Sequence, residues 1–312
     1  MQATSAPILV TGATGTQGGA AARALVRAGH RVRALVRNPD TPSVSELRRE
    51  GCEIAVGDLE APDTLAAALE GAHGVFSVQR PDLTGTNSER RHGFALVDAA
   101  LDAGVSHFVH SSVCQVEDHE AFPRWDEGYW SVSYWTDKWA VEQKVRDAGF
   151  PCWTVMRPSF IMENLTDAKA RYLYPQLRDG LLLTPIRPES KVQLIAGDDI
   201  GAFVHAAFED PQTFCGKAIE LAGDEMTVAD IAETLQTVLE VPVRSRSVSA
   251  QEALSAGLAA TWVRSQEWVN DVGYHVDRTR LDDYRIPLTT LRDWAERHRD
   301  LITIRNPEGS QA

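Results

Sequence analysis

Tyr134 and Lys138 are four residues apart, a spacing that places both side chains on one face of a helix. A nearby ammonium stabilises tyrosinate, so the pair predicts a pKa for Tyr134 that is lowered toward working pH. The phenol could then exchange a proton with a substrate carbonyl or alcohol oxygen while a hydride moves. Ser111 and Ser112 end a predicted strand just ahead of the pair and are candidates for a second hydroxyl donor. We take Ser112 as the candidate catalytic serine, and the choice between the two stays open.

A glycine-rich turn provides the second chemical signal. It follows the apolar run Ile8–Thr11 and opens an alanine-rich helix, which is the context that a phosphate-binding turn requires. Gly12 permits the tight turn, Gly15 lets the backbone approach a pyrophosphate, and Gly18 allows close packing of helix against strand. The anion is predicted to rest on the N–H groups of the helix N-terminus. The predicted cofactor-binding residues of this turn are Gly12, Thr14, Gly15, Thr16, Gln17 and Gly18.

Arg37 ends the second predicted strand, where the adenosine ribose of a dinucleotide lies. An acidic residue there would accept from the 2′-hydroxyl of NAD, whereas an arginine suits the 2′-phosphate of NADP. Arg33 alternates with Arg37 along the strand and is predicted to project to the same face. The expected cofactor is therefore NADP(H), with NAD as a possibility.

Two further strand ends supply candidate cofactor contacts. Asp58 closes the third strand and could accept from the adenine amino group, while Leu59 packs on the ring. The residues at the end of the fourth strand are predicted to line the path toward the nicotinamide; they are Ser77, Val78 and Gln79.

The elements that must position these residues alternate along the first 160 residues. Short apolar runs without alternation, joined by helices, indicate a parallel sheet covered on both faces. The predicted strands are 8–11, 31–36, 52–56, 74–78, 107–110 and 152–156, and the predicted helices are 18–28, 43–50, 62–69, 88–103 and 136–148. This pattern predicts an α/β fold with a Rossmann-type doubly wound parallel sheet.

After Pro158 the regular alternation of apolar runs and helices weakens. This change predicts a smaller, mostly helical C-terminal lobe that binds the substrate. Strands are predicted at 191–199 and 218–222, with a helix at 200–208 between them. Thr227 and Asp230 form a T-x-x-D capping box that opens a helix over 228–239. We therefore assign 1–158 and 195–224 to the NAD(P)-binding domain, 159–194 and 225–305 to the lobe, and 306–312 to a tail.

Composition narrows the functional classes. The formal net charge of −13 opposes direct binding to nucleic acid, and no run of residues is apolar enough to span a membrane. The N-terminus lacks the features of a signal peptide, so a cytoplasmic location is expected. The four cysteines are widely separated and are predicted to be free, buried thiols. His107 and His110 lack ligand spacing and are predicted to be hydrogen-bonded structural residues, so no metal site is expected.

Together these residues resemble the short-chain dehydrogenase/reductase superfamily, and more closely its atypical NmrA-like branch, over residues 8–224. The resemblance rests on the glycine turn TGATGTQG, on Arg37, on Gly57-Asp58-Leu59, on the Lys138…Glu142 helix and on the segment 154–164. It implies that Lys138 and the Pro158–Phe160 segment flank the nicotinamide, and that Met162 to Asn164 lead into the substrate lobe. Many NmrA-like proteins lack the catalytic tyrosine of the superfamily and act as nucleotide sensors, whereas this chain has a tyrosine at the right spacing.

The leading hypothesis is an NADPH-dependent oxidoreductase that acts on a small carbonyl, enone or imine, with Lys138 also bonding the nicotinamide ribose. The alternative is a non-catalytic dinucleotide sensor that changes protein partners with redox state. A third hypothesis is an epimerase or dehydratase that uses a tightly held nicotinamide transiently. The expected partner is a small-molecule substrate, and the protein is expected to be a monomer or a homodimer.

Overall fold

The computed structural model describes residues 6–83 and 85–305. Its strands are β1 (Ile8–Val10), β2 (Val32–Val36), β3 (Glu53–Val56), β4 (Gly74–Ser77), β5 (His107–Ser111), β6 (Cys152–Pro158), β7 (Phe160–Ile161), β8 (Leu181–Thr184), β9 (Lys191–Ile195), β10 (Lys217–Leu221), β11 (Asp224–Thr227) and β12 (Arg244–Ser247). Its helices are α1 (Thr16–Arg27), α2 (Pro42–Arg49), α3 (Leu65–Leu69), α4 (Ser88–Asp102), α5 (Val132–Asp147), α6 (Asp167–Leu173), α7 (Gly197–Glu209), α8 (Pro211–Phe214), α9 (Val228–Leu239), α10 (Ala250–Ser255), α11 (Ala260–Asp271) and α12 (Leu291–Arg297).

Seven strands form one sheet in the order β10-β6-β5-β4-β1-β2-β3, and every neighbouring pair is parallel. The order runs outward from β1 in both directions, so the chain crosses the sheet in two opposite senses and helices cover both faces. The central strands β1, β4 and β5 are buried along their whole length, as expected for parallel strands that are covered on both faces. The predicted Rossmann-type fold is confirmed.

The chain divides into two compact units. The described residues of the first unit are 6–83, 85–117, Ser133–Pro158 and Gly197–Leu221, and this unit contains the seven-stranded sheet. The described residues of the second unit are Asp118–Val132, Ser159–Ala196 and 222–305. The sequence pattern places 118–132 with the first domain, whereas in the structure this segment groups with the second unit.

The second unit contains two small sheets. Strands β11, β9 and β7 form one, and β12 pairs with β8 in the other. The described part of this unit is thus less purely helical than predicted, because short strands such as β12, with the sequence RSRS, carry no apolar alternation. The capping box of α9 is confirmed: the Thr227 hydroxyl accepts from the Asp230 amide, and the Asp230 carboxylate accepts from the Thr227 amide.

The prediction of four free thiols is wrong for one pair. Cys152 and Cys215 form a disulfide, with their Cα atoms 5.2 Å apart. The reason is the pairing of β10 with β6, which aligns Lys217 with Thr154 and so places the preceding cysteine beside Cys152. Because the two cysteines are 63 residues apart in the sequence, the sequence alone does not show that they are neighbours in the structure. Cys52 and Cys114 are free and buried, as predicted.

No helix in 6–83 or 85–305 combines the length and the apolar character needed to cross a membrane. The predicted tail at 306–312 lies outside the described residues.

Candidate functional site

The glycine turn lies at the carboxyl end of β1 and is fixed to the end of β4. The Thr11 hydroxyl donates to the Val78 carbonyl at 3.0 Å and accepts from the Val78 amide at 2.9 Å. Gly12 has a φ of +60°, which is the left-handed region that favours glycine. A Cβ on Gly18 would lie 2.3 Å from the Gly12 carbonyl oxygen, so only glycine allows α1 to approach the turn this closely.

The N-terminus of α1 is available to an anion. Gly15 is the N-cap residue, no side chain caps the helix there, and its first turn contains no acidic residue. The first N–H groups of a helix have no intrahelical acceptor, and the helix dipole favours negative charge at this end. Thr14 and Gly15 are exposed, and Thr16 and Gln17 are half-buried. The turn therefore fits a pyrophosphate on structural as well as sequence grounds.

Arg37 follows β2 directly and is exposed. The register that pairs Val10 with Ala34 brings Arg37 alongside the glycine turn when it is continued past the strand ends. We find no hydrogen bond or ion pair from its guanidinium to any described residue. Arg33 differs, because it donates to the carbonyls of Ala68 and Glu70 at 2.7 and 2.9 Å. Of the two arginines, Arg37 is the one whose guanidinium is available to a phosphate.

Asp58 and Leu59 lie in a tight turn after β3. One Asp58 carboxylate oxygen accepts from the Glu60 amide at 3.0 Å, and the Asp58 amide donates to the Thr64 hydroxyl at 2.9 Å. Leu59 is partly buried and packs against the hydrophobic core of the first unit. The carboxylate thus already stabilises its own turn, and its second oxygen is the atom that could accept from an adenine amino group.

The residues at the end of β4 form a buried polar chain. Gln79 donates to the Ser77 hydroxyl at 2.8 Å, and that hydroxyl lies 3.2 Å from Nδ1 of His110 on β5. Burial, followed by the charge of Lys138, lowers the pKa of His110 to about 3, so the ring is neutral. Val78 is half-buried, whereas Ser77 and Gln79 are buried. The prediction that His110 is hydrogen-bonded is confirmed, as it is for His107, whose Nε2 lies 3.1 Å from the Thr154 hydroxyl.

The two candidate serines differ in their contacts. The Ser111 hydroxyl donates to the Gln17 side chain at 2.5 Å, which joins the end of β5 to α1. The Ser112 hydroxyl is buried and has no hydrogen-bond partner among the described residues. A buried unpaired hydroxyl is costly, so Ser112 is the serine with hydrogen-bonding capacity to spare.

Tyr134 and Lys138 both lie on α5, as their spacing predicts. The Lys138 ammonium lies 5.2 Å from the centroid of the Tyr134 ring. It donates to the Glu89 carboxylate on α4 at 2.7 Å, and both of these charged side chains are buried. The sequence analysis missed Glu89, since no local spacing relates it to a lysine 49 residues away.

The predicted lowering of the Tyr134 pKa is wrong for this structure. Burial raises the pKa of Tyr134, and the opposing charge of Lys138 does not cancel the effect. Burial alone would lower the pKa of Lys138, but the Glu89 carboxylate raises it above its usual value. The phenol is therefore protonated and the ammonium charged near neutral pH. This is the state in which a tyrosine can donate a proton.

The first residues of the segment 154–164 lie in β6 and stabilise the first unit. The Arg157 guanidinium donates to both carboxylate oxygens of Glu142 on α5, at 3.2 and 2.6 Å, and both side chains are buried. Pro158 ends β6, and its carbonyl accepts from the Cys114 amide at 3.2 Å. Phe160 begins β7 in the second unit, where it is buried.

Most candidate residues of the first unit thus lie at the carboxyl ends of parallel strands or on the helices that follow them. This edge is where ligands bind in open α/β sheets. The seven-stranded order and the glycine turn define a Rossmann-type protein.

The chain belongs to the NmrA-like family, whose profile matches residues 4–292. One relative, an NAD(P)H azoreductase from Xenophilus azovorans, is 31% identical over 252 residues, which is 80% of this chain and 79% of the relative. Among solved structures, the triphenylmethane reductase of Citrobacter sp. complexed with NADP(H) has a TM-score of 0.75 at 20% identity, covering 93% of this chain and 99% of that one. The negative transcriptional regulator NmrA in complex with NAD has a TM-score of 0.74 at 20% identity and covers 95% of each chain. The predicted family is confirmed.

Proposed function

We propose that this protein is an NADP(H)-dependent oxidoreductase that reduces a small carbonyl, enone or imine. The observation that carries the proposal is the Tyr134–Lys138 pair on α5, in which the buried Lys138 ammonium lies 5.2 Å from the centroid of the half-buried Tyr134 ring. The cofactor class agrees with the relatives, since the azoreductase is named for NAD(P)H and the triphenylmethane reductase was solved with NADP(H). Both of these proteins are named as reductases.

The residues of the first unit fit the cofactor in an extended arrangement along the strand ends. The glycine turn and the start of α1 would hold the pyrophosphate, and Arg37 would hold the 2′-phosphate of the adenosine ribose. Asp58 and Leu59 would contact the adenine, and Ser77 to Gln79 would line the way toward the nicotinamide. We assign Lys138 to the nicotinamide ribose, and Pro158 to the segment beside the ring.

When bound, NADPH supplies a hydride, and the chain must supply the matching proton. The Tyr134 phenol would donate its proton to the substrate oxygen or nitrogen that becomes electron-rich as the hydride arrives. Lys138 would stabilise the resulting tyrosinate by its charge, and the phenol would be restored from solvent. The unpaired Ser112 hydroxyl would donate a hydrogen bond to the same substrate atom. Hydride and proton together account for the two-electron reduction.

The decisive experiment is turnover by Tyr134→Phe with NADPH and a panel of carbonyls, enones and imines. We expect kcat to fall by about 10²–10⁴-fold with little change in KM or in cofactor affinity, because the variant loses only the transferable proton. Tyr172→Phe is the matched control, since Tyr172 is 64% exposed on α6. Turnover by Tyr134→Phe at the wild-type rate would remove Tyr134 from the mechanism.

Cofactor preference is tested separately by calorimetry with NADPH and NADH. A charge-assisted contact to the 2′-phosphate contributes about 1.5–3 kcal/mol, so the wild type is expected to prefer NADPH by roughly ten- to a hundredfold. Arg37→Ala should abolish the preference. Arg27→Ala, which removes an exposed arginine at the far end of α1, should preserve it. Equal affinity of the wild type for both cofactors contradicts the assignment of Arg37.

A non-catalytic dinucleotide sensor is the second candidate function. The ion pair between Lys138 and Glu89 favours it. An ammonium that is paired with a carboxylate stabilises a tyrosinate at Tyr134 less than an unpaired ammonium would. The likeness in fold to NmrA, a negative transcriptional regulator, is consistent with it. This candidate predicts dinucleotide binding with no turnover of any panel substrate, and no effect of Tyr134→Phe on affinity.

A further inference from the structure

Two histidines and a glutamate meet at the end of α1 that lies away from the glycine turn. His30 is in the connection between α1 and β2, and His205 and Glu209 lie one turn apart on α7. His30 Nε2 lies 2.9 Å from the Glu209 carboxylate, and the two imidazole rings are 5.8 Å apart at their centroids. One donor atom from each of the three residues lies within 4.8 Å of the other two.

The buried His30 imidazole lowers the stability of the folded protein if it has no further partner. Its side chain is only 5% exposed, yet its Nδ1 has no hydrogen-bond partner among the described residues. Its Nε2 contacts Glu209 without the geometry of a hydrogen bond. Buried polar groups are normally satisfied, so an unsatisfied imidazole aimed at a second histidine and a carboxylate needs an explanation.

We propose that His30, His205 and Glu209 bind one divalent transition-metal ion of the Zn²⁺ class. Two imidazoles and a carboxylate are a common zinc ligand set, with a water molecule as the fourth ligand. Water can reach the site because the Glu209 side chain is 41% exposed.

The ion serves the structure of the first unit rather than the reaction. Helix α1 has 12 residues, so its two ends are about 18 Å apart and the ion lies far from the glycine turn. It would join the end of α1 to α7, two helices that already pack so closely that a Cβ on Gly201 would lie 2.6 Å from the Ala20 carbonyl oxygen. The ion would thereby hold the helix whose other end carries the proposed pyrophosphate site.

The test uses the full chain without an affinity tag, freed of metal by a chelator and titrated with Zn²⁺ alone against a chromophoric competitor. We expect one equivalent to bind at micromolar or lower concentration. His205→Ala and Glu209→Gln should each weaken binding by at least about tenfold, because each removes one of three ligands. His275→Ala, which removes an exposed histidine elsewhere, should bind as the wild type does.

A thermal readout makes the test independent of activity. At a hundredfold excess of Zn²⁺ over its Kd, the wild-type Tm should rise by about 4 °C, and the two ligand variants should lose this rise. The proposal is overturned if micromolar Zn²⁺ does not bind to the wild type. It is equally overturned if both ligand variants bind Zn²⁺ as tightly as the wild type.

Discussion

Removal of one partner of the Lys138–Glu89 pair should destabilise the protein far more than removal of both. The Lys138 ammonium lies 2.7 Å from the Glu89 carboxylate, and the two side chains are 7% and 3% exposed. Glu89→Leu leaves a buried ammonium without its counter-charge, and Lys138→Met leaves a buried carboxylate. Each single variant is expected to lower the free energy of unfolding by about 3–5 kcal/mol.

The double variant Glu89→Leu/Lys138→Met should be nearly as stable as the wild type, because it leaves no buried charge. It also loses a long hydrogen bond of 3.4 Å from the Asp82 amide to Glu89, which is worth about 1 kcal/mol or less. The two single effects should therefore fail to add by at least about 3 kcal/mol. Glu89→Gln keeps an acceptor for the ammonium and should fall between the wild type and Glu89→Leu.

Urea unfolding of the apo protein, followed by tryptophan fluorescence and circular dichroism, measures these differences. The same two helices supply a matched control in Lys144 and Asp98, whose atoms are 2.6 Å apart but whose side chains are 33% and 58% exposed. Water screens this control pair, so its single variants should cost about 1 kcal/mol or less. Additive effects of Glu89→Leu and Lys138→Met, or single effects as small as those of the control, would refute the reasoning.

Three further predictions concern the glycine turn, the burial of His110 and the cap of α9. Gly18→Ala places a Cβ 2.3 Å from a backbone carbonyl and should weaken NADPH binding in calorimetry, whereas Gly15→Ala, with its nearest contact at 3.2 Å, should be milder. The pKa of His110 is about 3 when folded and 6.5 when unfolded, so stability should fall as the pH drops from 6.5 toward 3. His110→Gln should reduce the slope of unfolding free energy in that window by about 1.4 kcal/mol per pH unit; an unchanged slope contradicts the burial argument. Thr227→Ala removes the cap of α9 and should cost about 1 kcal/mol in urea unfolding, while Thr237→Ala, on an exposed position of the same helix, should cost less. Equal losses at the two threonines would show that the cap contributes nothing.

The features that the sequence predicts correctly have local determinants. A glycine turn between an apolar run and an alanine-rich helix is specified within a dozen residues, and so is the capping box of α9. The parallel sheet follows from unbroken apolar runs joined by helices, because strands buried on both faces cannot alternate. The helix that carries Tyr134 and Lys138 was predicted from residue 136 and in fact begins at Val132.

The features that could not be predicted from the sequence depend on contacts between segments that are far apart in the chain. Glu89 meets Lys138 only because α4 packs beside α5, and the disulfide follows from the pairing of β10 with β6. The direction of the Tyr134 pKa shift was wrong because the neighbouring lysine is visible in the sequence, whereas burial is a property of the folded protein. Similarly, the spacing of His205 and Glu209 suggests a helix face, but nothing in the sequence connects His30 to it.

Because β10 comes late in the sequence, the seven-stranded sheet can be completed only late in the synthesis of the chain. This strand completes the edge of the seven-stranded sheet beside β6, yet the ribosome synthesises it only after the segment Ser159–Ala196 of the other unit. Helix α7, which packs on α1, also follows that segment and emerges shortly before β10. A nascent chain that ends at Pro158 therefore exposes one edge of β6 and one face of α1. The face of α1 stays uncovered until α7, which ends at Glu209, has left the exit tunnel, and the edge of β6 stays uncovered until Leu221 has left it. We expect a fragment that ends at residue 158 to aggregate, and a chaperone that binds apolar surfaces to have its longest opportunity during that interval.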